Sequence, residues 1–401
     1  MSLRVRPIGA NGRDFSAFLD LPYRLHRGLP NLVPPLRADV QLMFDAAKNP
    51  FFEHAEVQSF LAERAGSPGS AGRAVGRLAA IHNRAHNAFQ EDRVGFWGFF
   101  ECENDPEAAA ALFDAAEAWL AERGLGPLRG PMNFSTNDDC GLLVRGFHRP
   151  PLLMMPFNPE YYIDLVEGAR FAKAKDLFAW VMSSSMPRML ARSADRARRR
   201  YRIETRPLDM RCFEDEVRLI RGIYNSAWEK NWGFVPMTEH EIDHMAKQLK
   251  PVIVPAYARI ATIKGEVAGF GLGLPDFNEV LARLNGTIGA WGLVKLLWHR
   301  RRIRGTRVIT LGIKEPYRNQ GVDVMLYHDM FVEGFRRGVT YTECSWVLED
   351  NAAMNRVLEH IGAVCDRVYR IYDRPVGAAA GPPAGLPAGL PAGPPAGGSA
   401  G

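Results

Sequence analysis

From Arg202 to Tyr372 the chain alternates β-prone runs with stretches of helical spacing in the order β-α-α-β-β-β-α-β-α-β, and this order narrows the fold more than any other feature. A strand is expected at Arg202–Arg206 and helices at Phe213–Trp228 and Thr238–Lys250. Two strands, Ala256–Ile263 and Glu266–Leu274, flank the turn Lys-Gly-Glu. After an insertion come a strand at Arg307–Ile313, a helix at Gly321–Arg337, a strand at Tyr341–Val347, a helix at Asn351–Ile361 and a strand at Ala363–Tyr372. The first strands meet through hairpins, so the fold class is α/β with a mixed (α+β) sheet, not a doubly wound one. The first half reads similarly, with strands at Leu3–Ile8, Val57–Ala62, Ala74–Ile81, Val94–Glu101 and Leu128–Met132 and helices at Arg13–Leu25 and Pro106–Glu122.

A length of 401 residues suits two folded domains, here 1–182 and 207–375, joined by an Arg-rich segment at 183–206. Residues 376–401 are almost entirely Gly, Ala and Pro, too poor in apolar bulk to offset chain entropy, and are expected to be disordered. Fifty basic against 45 acidic residues give a net charge of +5, too small a balance to indicate a nucleic-acid binder. The five cysteines are scattered without a CxxC pair, which fits reduced thiols and indicates neither a disulfide framework nor a metal site. The start lacks the apolar core of a signal peptide, and no run is long and apolar enough to span a membrane. The expected location is the cytoplasm, with peripheral attachment to the inner membrane as an option.

The run "LGIKEPYRNQGVDVMLYHDM", Leu311 to Met330, hands a strand over to a helix through a polar turn. Unpaired backbone N–H groups at such a helix mouth carry the positive end of the helix dipole and suit a phosphate, and Gly321 would admit close approach. An ordinary strand–helix turn would read the same way in isolation. In context, "PYRNQGVDVML" with the downstream "TECSWVLEDNAAMNRVLEHIGAVCDRVYRIY" resembles the Gcn5-related N-acyltransferases (GNAT family) over about Arg202 to Tyr372.

That resemblance implies tandem GNAT-like folds, acyl-CoA as co-substrate without a metal, and an amine acceptor. It implies cofactor contacts from the strand Leu311, Gly312 and Ile313, from the turn Arg318, Asn319, Gln320, Gly321, Val322 and Asp323, and from Asn351. Two departures stand out: Asp323 occupies the last small position of the turn, and Leu358 stands where many members carry a tyrosine acid. In the first half, Glu101, Glu103 and Asp105 sit where a phosphate turn would be, and clustered carboxylates repel phosphate. That half is expected to be a copy without a cofactor. "GPMNFSTNDDCGLLVRGFHRPPLLMMPFNPEYY" and "YNSAWEKNWGFVPMT" are similar to a group of two-domain bacterial GNAT proteins related to bacterial ceramide synthases, which acylate the amine of a sphingoid base.

Direct attack of an amine needs a group to take its proton, and Glu315, Glu343 and Glu349 are the candidates, although each can equally be a solvated or ion-paired side chain. Strand alternation puts Glu343 and Ser345 on one face and Cys344 and Trp346 on the other. Asn231 and Trp232, in the loop between two helices, and Trp346 are candidate acceptor contacts. Residues 290–304 combine Trp291, Leu293, Leu297 and Trp298 with Arg300, Arg301, Arg302 and Arg304, which fits either a helix resting on an anionic membrane or one packed on its own domain. Arg188, Arg192, Arg196 and Arg200 share a helix face. The scarcity of aromatic residues among them argues against nucleic acid, leaving solvent or anionic lipid. Two further functions remain open: a binding module without turnover, and aminoacyl transfer from tRNA.

Overall fold

The computed structural model describes residues 2–65, 72–183, 186–229, 231–284, 286, 298 and 302–375. Most of the insertion at 290–304 and all of 376–401 lie outside these residues; within the insertion, Trp298 is exposed.

The strands are β1 (Leu3–Ile8), β2 (Ala55–Arg64), β3 (Arg73–Asn83), β4 (Gly95–Cys102), β5 (Leu128–Gly130), β6 (Met132–Asn133), β7 (Asp139–Cys140), β8 (Leu142–Arg145), β9 (Ala172–Ser183), β10 (Ile203–Pro207), β11 (Ala258–Ile263), β12 (Glu266–Pro275), β13 (Gly305–Ile313), β14 (Tyr341–Leu348) and β15 (Val364–Arg374). The helices are α1 (Gly12–Leu25), α2 (Arg37–Met43), α3 (Arg84–Gln90), α4 (Pro106–Ala121), α5 (Tyr161–Gly168), α6 (Arg188–Tyr201), α7 (Phe213–Trp228), α8 (Glu239–Leu249), α9 (Asn278–Leu281), α10 (Val322–Arg336) and α11 (Ala352–His360).

Local chemistry sets the helix starts. Asp105 caps α4 ahead of Pro106 in the first turn, where a missing N–H costs nothing, and Thr238 with Glu241 forms a capping box on α8. Asn351 caps α11, its Oδ1 accepting from Met354 N at 3.2 Å.

Among the described residues thirteen strands form one sheet, in the order β1-β2-β3-β4-β5-β15-β9-β14-β13-β12-β11-β10, with β8 also on β15. Each half thus lays down four antiparallel strands and a fifth parallel to the fourth. The halves then exchange partners. The strand β9, which ends at Ser183, pairs with β14, while the carboxy-terminal β15 pairs with β5 and β8 of the first half. The sheet therefore does not break at 182–183, because β9 and β15 run side by side along most of their lengths and join the halves through backbone hydrogen bonds.

Helix α6 buries Leu190, Ala194 and Ala197 against α10 and leaves its arginines in solvent, as the spacing of Arg188, Arg192, Arg196 and Arg200 requires. One face of the second half's sheet packs on α6, α10 and α11. The other packs on α7 and α8.

Candidate active site

The parallel pair β13–β14 holds together only from Gly305–Tyr341 to Val308–Cys344. Past that point, among the described residues, β13 continues through Ile309–Ile313 bound to β12 alone, while β14 stays on β9 through an irregularity between Cys344 and Val347. The strands splay into a fork. At its far end the chain passes the short 3-10 turn Glu315–Tyr317, reaches left-handed backbone at Asn319 (φ 61°) and Gly321 (φ 81°), and enters α10. Glycine is required at 321 by that φ and by crowding, since a Cβ there would sit 2.8 Å from the Ala197 Cβ of α6. Around this turn Arg318 Nη2 donates to the Ala227 carbonyl at the end of α7, at 3.3 Å, and Gln320 Nε2 donates to the Pro316 carbonyl, at 3.0 Å.

The first N–H groups of α10 open onto this turn, as at any helix start. Asp323 stands in the same helical turn, and burial raises its pKa above the ordinary aspartate value while the nearby Val324 and Asp323 N–H groups oppose that rise. On the strand, Leu311 and Ile313 pack toward α10, and Gly312 leaves room for the Trp228 ring, whose edge would lie 2.8 Å from a Cβ at that position.

On the α7–α8 side the fork opens into a cavity bounded by both halves of the chain. Its apolar lining includes Phe213, Val217 and Ile220 of α7, Met245 and Leu249 of α8, and Phe270 and Leu272 of β12. Its polar lining includes Thr136, Asn137, Asp138 and Asp139 from the first half, and Asn231, Arg307, Thr310 and Trp346 from the second. Two stretches far apart in sequence are tied together here. Thr136 Oγ1 donates to the Gly233 carbonyl at 2.9 Å, Asn137 Nδ2 to the Val235 carbonyl at 3.1 Å, and Tyr224 Oη to Asn137 Oδ1 at 3.1 Å. Gln90 Nε2 adds a bond to the Phe234 carbonyl at 2.6 Å.

Asn231, Trp232 and Trp346 all line this cavity, Trp232 beneath Arg129 and Lys175. Trp346 arrives there against strict alternation. The irregularity of β14 turns its ring toward Arg307, on the opposite side from Cys344, which faces α10.

The three glutamates are not assembled at the cavity. Glu343 is fully buried, its Oε1 accepting from Ser345 Oγ at 2.8 Å and its Oε2 lying 3.7 Å from Arg149 Nη2. Glu349 pairs with Lys173 at 2.6 Å and accepts from Asp176 N, so it joins β14 to β9. Glu315 opens the 3-10 turn beyond the fork. The carboxylates that do line the cavity are Asp138 and Asp139, within "NFSTNDDCGLL". Their Asp-Asp doublet was visible in the sequence, but nothing local placed it opposite a fork nearly two hundred residues away. Desolvation pushes Asp138 up to about 6, opposed by its bond from Ser135, and raises Asp139, opposed by the charge of Arg307. Among the described residues no cluster of side chains suited to a metal ion is present.

A five-strand plan ending in a splayed parallel pair, with a helix after its fourth strand, is the GNAT fold and is present here twice; the turn with two left-handed residues belongs to the second copy. Among solved structures, a tandem GNAT protein from the clavulanic acid biosynthesis pathway matches with a TM-score of 0.53 at 14% identity, covering 94% of this chain and all of that one. A GCN5-related N-acetyltransferase from Sphaerobacter thermophilus matches with a TM-score of 0.51 at 13% identity, covering 93% of this chain and 95% of that one. No family model matches the sequence. Two curated proteins show the family: the bacterial ceramide synthase of Caulobacter vibrioides (strain NA1000 / CB15N), 37% identical over 90% of this chain and 94% of that protein, and Protein YghO of Escherichia coli (strain K12), 35% identical over 91% and 94%. The chain belongs to the family of these two proteins, and it carries the tandem GNAT fold.

Proposed function

We propose that the chain is an acyl-CoA-dependent N-acyltransferase whose acceptor is a primary amine with a long apolar tail, a sphingoid base being the leading case. The observation that carries this reading is the cavity, whose lining joins an apolar set from α7, α8 and β12 to polar side chains from the fork and from the first half. A tail of many methylenes gains roughly 0.8 kcal/mol for each CH2 moved from water into such a lining. The amine end of the same molecule would then lie among the polar side chains, beside the fork. The ceramide synthase named above supports the choice of acceptor.

On the other side, the unpaired edge of Leu311–Ile313 would align the pantetheine arm, and the N–H groups from Gln320 to Asp323 would face the pyrophosphate. Coenzyme A supplies an acyl thioester, whose thiolate departs without strong acid assistance. This suits a chain in which Leu358 is buried against α10 and offers no proton. What the protein adds is positioning, holding amine and carbonyl in near-attack geometry across the fork.

The test is release of free thiol from a panel of acyl-CoAs with sphinganine, with short soluble amines and with no amine. Release that depends on the long-chain amine is expected. Equal turnover of short amines would remove the apolar lining of the cavity from the account. Asp323 at the helix mouth favours a second reading, a lipid-binding module without turnover, and the absence of amine-dependent release would select it. Aminoacyl transfer from tRNA would require the exposed arginines of α6 as an RNA contact, and predicts steeply salt-dependent tRNA binding.

A further inference from the structure

We propose that the amine's proton is taken by the carboxylate of Asp138, so that the first half of the chain, which has no open fork of its own, supplies the base for chemistry at the fork of the second. This rests on the acyltransferase reading above and names the residue it left open.

Three arrangements converge on Asp138. It lines the cavity, whose other walls include Ile309 and Thr310 on one arm of the fork and Trp346 on the other. Its Oδ2 accepts from Ser135 Oγ at 2.9 Å and Ser135 N at 3.2 Å, which fixes the carboxylate on the side of its own loop. That loop is in turn held to the second half through Thr136 and Asn137.

The neighbouring carboxylate is differently placed. Asp139 lies in β7, paired with β6, and feels the charge of Arg307. The Arg307 guanidinium is itself committed to Ser345 and to the carbonyls of Leu153 and Met154. Asp139 thus shares with the buried Glu343 the field of a buried cation, while Asp138 has no cation paired with it among the described residues. The groups around Asp138 are Asp139 and Cys140 on its own stretch, Tyr224 on α7 and Arg307 on β13. Desolvation that pushes Asp138 up to about 6 suits a base that must collect a proton near neutral pH and pass it on.

The step balances. An ammonium R–NH3+ gives one proton to the Asp138 carboxylate, and the neutral amine attacks the thioester carbonyl carbon. A C–N bond forms and the C–S bond breaks. The second proton leaves the nitrogen with the departing thiolate, giving amide and free thiol, and Asp138 returns its proton to solvent.

The experiment measures thiol release by the full-length protein with an acyl-CoA and sphinganine across pH 5 to 9, and CoA affinity by calorimetry. Asp138→Asn is expected to lower kcat at pH 7 by about 100-fold or more with CoA affinity unchanged, and its residual rate should climb with pH as the free amine becomes available. The parent should show an acidic limb near pH 6 that the variant lacks. Ser135→Ala removes a bond that favours the charged carboxylate, and should shift that limb to higher pH, giving a test that does not depend on Asp138→Asn folding. An active parent whose Asp138→Asn form turns over within threefold, or a limb unmoved in Ser135→Ala, overturns this inference and leaves the acyltransferase reading standing. A parent that releases no thiol with any amine overturns both.

Discussion

The same strand–turn–helix plan occurs twice in this chain, and the two forks have opposite fates. In the first half β4 and β5 pair only at Gly95–Leu128 and Phe96–Arg129, just as β13 and β14 part after Val308. There the gap is closed. Trp97 is fully buried, packed against Phe113 and Phe171, and Gly130 makes room for its ring. Asn133 bridges the gap, its Oδ1 accepting from Phe99 N at 2.7 Å. Asp105 occupies the helix mouth as the cap of α4 and pairs with Arg64, while Glu103 pairs with Arg73 and Glu101 with His26. In the second half the corresponding edge is unpaired among the described residues, and the helix mouth carries two left-handed residues. A fork closed by a tryptophan and carboxylates becomes scaffold, and its loop is free to serve the neighbouring site.

The largest effect that would test this contrast is on stability. Trp97→Ala should cost about 3–5 kcal/mol, measured by urea denaturation, because a large ring is removed from a packed core. It should not create a second CoA site. Trp346→Ala, at a half-buried position on the cavity wall, should cost less stability and more turnover. Two CoA molecules bound per chain in the Trp97 variant would break the comparison.

Next in size is Gly321→Glu. A side chain there is strained by the positive φ and crowds Ala197, and a carboxylate would face the bound pyrophosphate. CoA affinity should fall by about 100-fold, or ~2.8 kcal/mol, by calorimetry. Asp105→Ala in the first half should leave that affinity unchanged.

Asp323 sharpens the comparison from the other side, since it places in the second fork the kind of charge that blocks the first. Asp323→Ala should tighten CoA by roughly 3–10-fold, about 1 kcal/mol, as a charge in the first helical turn is removed from the phosphate cradle. Weaker binding would show that Asp323 organises the turn instead of opposing the ligand.

How far the sequence carried this picture follows from which interactions are local. Helix α7 matches its expected limits, and β10 to β15 lie within a few residues of theirs, because period and capping residues are written in adjacent positions. The twelve-residue β9 and the exchange of β9 and β15 were not legible, since strand pairing between distant segments leaves no mark on either alone. The same holds at the site. Asn231, Trp232 and Trp346 line one cavity, but the side of β14 on which Trp346 emerges was set by an irregularity that alternation does not foresee. Glutamates near the fork drew attention by proximity in sequence. The carboxylates lining the cavity come from the other half.

The smallest predicted effect concerns the seam that brings that half into place. His54 Nε2 meets Glu241 Oε1 at 3.0 Å, joining the turn before β2 to α8 beside the cavity, with both side chains mostly buried. The hydrogen bond from this pair is the leading cause that raises His54 above the ordinary histidine value of 6.5, and it helps hold Glu241 below 4.5 against desolvation. The raised histidine contributes stability that is complete below pH 6.5 and fades as pH rises through its folded-state pKa. The lowered glutamate contributes stability that is complete above pH 4.5 and fades as pH falls through its own. The pair is therefore strongest between about pH 4.5 and 6.5. His54→Gln should cost about 1 kcal/mol in that window by urea denaturation and progressively less as pH rises through the histidine's folded-state pKa. If this pair added nothing to the other contacts between the halves, the variant would match the parent at every pH. A deficit confined to the acidic window, with a raised KM for the long-chain amine, would show that this contact also sets the width of the acceptor cavity.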